Sequence, residues 1–164
     1  MNDKDLRNSF LRWLYTLKVF CGPGIDYREY GKESSLENMN IKRILGSLVE
    51  RELIEKTTTG SKYCLSLYGI SIVEDSLGEI PEVIEIRSQR IKCLRELKYI
   101  DDNNGGYIEK DIIGEKFNLD EYDMDFIIFY LKSKKYIEGG GMNGPIYRIT
   151  ETGKRVLEDE NFPL

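Results

Sequence analysis

Arg43 stands in a run of residues that could read the edge of a base pair. Asn40, Lys42 and Ser47 surround it, all hydrogen-bond donors within one stretch of helical periodicity. A guanidinium matches the O6 and N7 acceptors of guanine in a bidentate contact, and an asparagine amide pairs with adenine in the same way. Ile41 and Leu45 fix the inward side of this stretch. At about 100° per residue, Met39, Asn40, Arg43, Gly46, Ser47 and Glu50 then face outward, with Lys42 on the flank. Gly46 leaves room for close approach. Further along, Lys56 and Lys62 flank a turn carrying Thr57, Thr58, Thr59 and Ser61. Hydroxyls and ammonium groups of this kind bond phosphate oxygens. Glu37 and Glu50 oppose that chemistry, because carboxylates repel phosphate. The same residues also fit an ordinary solvated helix face.

Other chemistry has little support. The chain contains no histidine, which removes the commonest general base and the commonest metal ligand together. No glycine-rich stretch matches a phosphate loop or a dinucleotide fingerprint. Asp123 and Asp125 lie two apart, so on a helix they point in different directions. Residues 101–109 resemble the start of an EF-hand loop, with Asp101, Asn103, Gly106 and Ile108 in place. Ile112 stands where a bidentate glutamate is required, and Gly105 offers no side-chain oxygen. Neither a catalytic site, a metal nor a cofactor is expected, and the chain reads as a binding protein.

Cys21, Cys64 and Cys93 match no zinc spacing and no disulfide framework. They read as free thiols of a reduced compartment, so a cytoplasmic location is expected. No apolar run is long enough for a membrane span, and the first residues lack a signal-peptide pattern. The net charge is −5, from 24 basic and 29 acidic residues. An acidic total weakens non-specific nucleic-acid binding without excluding a local basic face.

The elements that must position these residues occur twice. Leu48, Ile54 and Glu55 recur 83 residues later as Leu131, Ile137 and Glu138. Gly69 and Asp75 recur as Gly153 and Asp159, at an offset of 84. The one-residue insertion falls in a polar stretch, where a loop tolerates it. Two copies are too few for a solenoid, so a small domain has been duplicated. Its boundaries are read as 1–79 and 80–164.

In the first copy, periodicity predicts helices over residues 4–20, 27–34, 37–53 and 67–77, and a hairpin from 54–58 and 61–66. In the second it predicts helices over 81–101, 109–117, 120–135 and 151–160. A short strand is expected at 107–108 and a hairpin from 136–138 and 145–149. The fold class is mainly α with small β-hairpins.

Helix, helix, helix, hairpin, helix resembles the winged helix-turn-helix superfamily, of the kind common in prokaryotic regulators. The residues that carry the resemblance are Leu36, Ile41, Ile44, Leu45, Leu48, Leu53, Ile54, Glu55 and Gly69. In the second copy they are Leu119, Met124, Ile127, Ile128, Leu131, Tyr136, Ile137 and Glu138, then Thr150, Gly153 and Lys154. The resemblance implies two tandem winged-helix domains, with the third helix of each as the one that would enter a major groove. It implies duplex-DNA binding often and protein contact in a sizeable minority.

At the aligned positions the second copy differs. Tyr122, Phe126, Phe129 and Tyr130 replace Met39, Arg43, Gly46 and Ser47, while Asp123 and Asp125 replace Asn40 and Lys42. Asp120 and Glu121 add two carboxylates that suit the positive end of a helix dipole and not a groove lined with phosphate. Such an aromatic face must be covered: by the first domain, a second subunit, another partner, or its own domain. A third feature is a basic stripe, Arg87, Arg90, Arg95 and Lys98, which reads as a backbone-contacting patch or as a solvated face paired with acids.

The leading expectation is a DNA-binding regulator-like protein. Domain 1 reads duplex DNA through Asn40, Lys42, Arg43 and Ser47, with Lys56 and Lys62 on the backbone. Domain 2 serves as a protein interface through Tyr122, Phe126, Phe129 and Tyr130, making a homodimer or holding another partner. The alternative is an acidic tandem winged-helix adaptor that binds protein and not DNA, similar in layout to subunits of condensin-like or sorting complexes.

Overall fold

A computed structural model describes residues 2–20, 22–58, 60–76, 80–141 and 145–159. The expectations placed on Cys21, Thr59, Leu77 and the segment after Asp159 lie outside the described residues. Contacts divide the chain into two units, Met1–Glu79 and Ile80–Leu164. Eight helices and six short strands occur among the described residues. No helix among them is long and apolar enough to cross a membrane.

Unit 1 opens with α1 (Asp3–Thr16), whose first turn is closed by the Asn2 side chain accepting from the Asp5 N–H at 2.9 Å. The helix ends short of the expected residue 20. Lys18 takes a left-handed conformation (φ 53°), and the Val19 carbonyl accepts from the Leu65 N–H at 2.9 Å. Val19 and Phe20 therefore leave the helix to run beside a strand, which suits their β-prone side chains.

Next come β1 (Ile25–Asp26), α2 (Tyr27–Ser34) and α3 (Asn38–Glu50), then β2 (Ile54–Lys56), β3 (Lys62–Leu65) and α4 (Leu67–Ser76). β1 carries no signal in the sequence, because two residues are too few for an alternating pattern. The turn between α2 and α3 is short: Ser35 is left-handed (φ 56°), and Leu36 N–H returns to the Gly31 carbonyl at 3.1 Å. A side chain at Gly31 would lie 3.2 Å from the Leu36 carbonyl oxygen, so the helices cross where there is room only for hydrogen.

Unit 2 repeats the order with α5 (Pro81–Asn104), β4 (Ile108–Glu109), α6 (Lys110–Phe117), α7 (Glu121–Ser133), β5 (Ile137–Gly139), β6 (Ile146–Ile149) and α8 (Glu151–Glu158). Proline opens α5 where its missing N–H costs nothing. Gly105 (φ 60°) stops it. The helix runs past the expected residue 101, so Asp101 and Asn103 both lie on its last turn. No group of metal-ligating side chains occurs among the described residues.

Each unit holds one antiparallel three-stranded sheet, in order β1-β3-β2 and β4-β6-β5. The registers correspond: Ile25 faces Tyr63 and Ile54 faces Leu65, as Ile108 faces Tyr147 and Ile137 faces Ile149. Phe10, Leu14, Ile41, Ile44, Leu48, Ile54, Leu65 and Ile70 are buried in unit 1. Leu94, Leu97, Ile113, Met124, Ile127, Leu131 and Ile149 are buried in unit 2. Burial also pushes the Cys93 thiol up to about 12, so it stays protonated and inert.

Sheet and last helix are joined by one device used twice. Ser66 caps α4 by accepting from the Gly69 N–H at 2.9 Å while donating to the Glu52 carbonyl. Thr150 caps α8 by accepting from the Gly153 N–H at 3.1 Å, and its hydroxyl lies 2.7 Å from the Lys135 carbonyl.

Candidate nucleic-acid interface

α3 sets its apolar side inward through Ile41, Ile44, Leu45 and Leu48, all buried. Lys42, Arg43 and Gly46 are exposed, and Asn40 and Ser47 half-buried. Nothing lies within 4 Å of where a side chain at Gly46 would stand. The expected outward set therefore shares one accessible side of one helix, beside Met39, which is 78% exposed.

The cations differ in how free they are. Arg43 is engaged: its Nη2 lies 2.5 Å from Asp3 Oδ1 at the start of α1, and both side chains are about half exposed. Lys42, Lys56 and Lys62 make no ion pair among the described residues. The Lys42 ammonium sits 6.0 Å from the centre of the Tyr27 ring, at the outer limit of a cation–π contact. Tyr27 is buried and meets Tyr63 of β3 edge-on at 6.3 Å. In the hairpin, Lys56 is exposed and Lys62 half-buried, with Asp26 as its cross-strand partner. Thr58 is exposed, while the Thr57 hydroxyl lies 3.4 Å from the Lys62 carbonyl.

Asp26 ties the hairpin to α2. It caps the helix by accepting from the Arg28 N–H at 2.9 Å, meets the Arg28 guanidinium at 2.5 Å, and accepts from the Ser61 hydroxyl at 2.6 Å. The Arg28 hydrogen bond chiefly, and the Ser61 hydroxyl after it, hold this carboxyl far below the usual range against the opposing pull of burial. A depressed carboxylate stabilises the fold above its unfolded pKa, and that contribution fades only as pH falls through the lower folded value. The knot stays intact at any pH used for binding work. An aspartate just before a helix is a recognisable cap signal, whereas the 40-residue separation of Asp3 from Arg43 leaves no local trace in the sequence.

Unit 2 builds the aligned surface differently. Tyr27 and Lys42 correspond to Lys110 and Asp125, which form an ion pair at 2.7 Å. Burial pushes the Lys110 pKa down, but Asp125, Glu121 and Asp111 more than offset it, and the ammonium titrates above the ordinary lysine range. Asp120 caps α7 by accepting from the Asp123 N–H at 2.8 Å. Asp120 and Asp125 thus have local partners.

The aromatic residues divide. Tyr122 is 79% exposed, Phe129 is half-buried, and Phe126 and Tyr130 are buried. Arg90 from α5 of the same unit lies 3.5 Å over the Tyr130 ring and 5.7 Å from that of Phe126. Its side chain is fully buried. That corrects the basic stripe: Arg90 faces inward, Arg87 is half-buried, Arg95 is exposed and Lys98 pairs with Asp102. Angular proximity around a helix placed four cations together, but the stacking preference of a planar guanidinium draws one of them under the aromatic rings. Tyr122 remains as the accessible aromatic of the expected interface set.

The guanidinium stack is testable. Arg90→Lys keeps the charge and loses the plane, leaving a strongly hydrated ammonium in a buried place. It is expected to destabilise unit 2 by about 2–4 kcal/mol. Amide hydrogen exchange on α5 and α7 checks this, and unchanged protection would contradict it.

Compared with models of known protein families and with curated protein sequences, the chain finds no match to either.

Proposed function

We propose that the chain is a tandem winged-helix protein of the DNA-binding regulator kind, in which unit 1 reads duplex DNA and unit 2 offers a protein surface. The order helix-strand-helix-helix-strand-strand-helix, present twice with the central strand last in sequence, supports the winged-helix reading. The observation that carries DNA binding is the open side of α3. Lys42, Arg43 and the unobstructed Gly46 share it, and Lys56 and Lys62 stand on the adjoining hairpin. Arg43, Asn40 and Ser47 would meet base edges, and the three lysines the phosphates. Tyr122 marks the part of unit 2 that a second copy or another protein would cover. Such a homodimer would present two reading heads.

Fluorescence anisotropy against a mixed pool of short duplexes, at about 50 and 200 mM salt, tests the reading. The three lysine–phosphate contacts give a slope near −0.9 per contact in the log–log plot, so affinity should fall by about fortyfold over this range. Absence of binding at low salt would overturn it. In that case the adaptor reading gains, because the Asp3 carboxylate on Arg43 and the acidic first turn of α7 favour a surface that meets protein.

A further inference from the structure

The repeated fold does not require the Asp3–Arg43 pair. The aligned positions in unit 2 are Ile86 and Phe126, and both are buried. At an offset of 83 residues, the two positions that hold an accessible ion pair in unit 1 hold buried apolar side chains in unit 2. Asp3 also has no capping duty, since the first turn of α1 is closed by Asn2. Its carboxylate presents an anionic oxygen to Arg43 Nη2 at 2.5 Å. A guanine O6 or a phosphate oxygen would offer the same guanidinium an acceptor of similar kind.

We propose that Asp3 is an intramolecular competitor for the reading arginine, so that the start of α1 restrains DNA binding by unit 1. This rests on the reading of α3 given above. In the free protein Asp3 neutralises Arg43. DNA must displace that carboxylate, and the released Asp3 then recovers its own counterion and stands near the phosphates. Lys42, Lys56 and Lys62 carry no such partner among the described residues, so they can hold DNA at low specificity while Arg43 exchanges. Recognition through Arg43 is then conditional on a site that offers it a better acceptor than Asp3.

The exchange leaves a thermodynamic signature beyond affinity. The carboxylate released from Arg43 takes up about one cation, which offsets about one of the cations that the lysine–phosphate contacts release. The salt dependence of the natural protein should therefore be shallower than that of a variant lacking the carboxylate.

Asp3→Asn keeps the size of the side chain and removes its charge. Four proteins are compared by duplex-DNA anisotropy across a salt series: natural, Asp3→Asn, Arg43→Gln and the double variant. Asp3→Asn is expected to bind about two- to fivefold more tightly, the range of an exposed ion pair, and its log–log slope should steepen by about 0.9. Both effects should shrink markedly when Arg43 is already Gln. Equal affinity and equal slope for the natural protein and Asp3→Asn would overturn the competitor and leave the DNA reading standing. A gain of equal size in the Arg43→Gln background would also overturn it, as it would show only general repulsion from phosphate. No binding by any of the four would overturn the DNA reading itself.

Discussion

Gly69→Ala is expected to destabilise unit 1 by about 3 kcal/mol, a large part of the stability of a small domain. An added methyl carbon would stand 2.0 Å from the Leu53 carbonyl oxygen and 3.0 Å from its carbon. These are backbone atoms at the start of the hairpin, so no rotamer change can move them. The Leu53 carbonyl is also engaged, accepting from the Ser66 N–H at 3.2 Å. Relief would require α4 to shift off the sheet, and the Ser66 cap and the buried Ile70 and Val73 would move with it. The chain has a single tryptophan, Trp13, which packs against Phe10 and Tyr30 in unit 1 and bonds Glu33. Its fluorescence in a urea titration reads the loss directly. Gly46→Ala provides the contrast: the site is open and helical, so the fold should gain about 0.5–1 kcal/mol. Equal midpoints for the two variants would contradict the argument. Gly153→Ala places a carbon 2.2 Å from the Tyr136 carbonyl oxygen and should act on unit 2 in the same way.

The paired glycines show what could be read without coordinates. Their recurrence at a nearly fixed offset announced a shared constraint, though not its nature, because a carbonyl pressed against a helix is a tertiary fact. Long amphipathic stretches were legible for the same reason: the apolar faces of α3 and α7 repeat at helical spacing, and α2 runs over the expected residues. Two things were not. β1 is two residues long and owes its conformation to β3, so it has no pattern of its own. Charge balance was the other. A helical projection places Arg43 on the outward side of α3 but puts Arg90 in an outward stripe, and it shows neither the Asp3 carboxylate that meets the first nor the aromatic rings that enclose the second. The same limit applies to Phe126, whose burial depends on what α5 brings to it. Residues on one helix face can be predicted from spacing, whereas their partners come from elements tens of residues away.

Arg43→Glu is expected to remove measurable affinity for duplex DNA, a loss of at least about a hundredfold. Losing a bidentate base contact accounts for about 1–3 kcal/mol. Reversal adds a carboxylate at the centre of the proposed contact surface, where juxtaposed like charges cost several kcal/mol more. It would also stand beside Asp3 and between the two other acids of that helix surface, Glu37 and Glu50. Arg43 is exposed, so the fold should tolerate the change, and the Trp13 urea midpoint checks that it does. Size-exclusion chromatography with light scattering should show an unchanged oligomer, because the proposed protein surface lies around Tyr122 of unit 2. A variant that folds, keeps its assembly state and still binds DNA would show that α3 is not the reading helix. A variant that loses DNA and also changes assembly would show that Arg43 belongs to a protein contact, and would move the weight to the adaptor. The natural protein and Arg43→Glu therefore separate reading from assembly by one side chain.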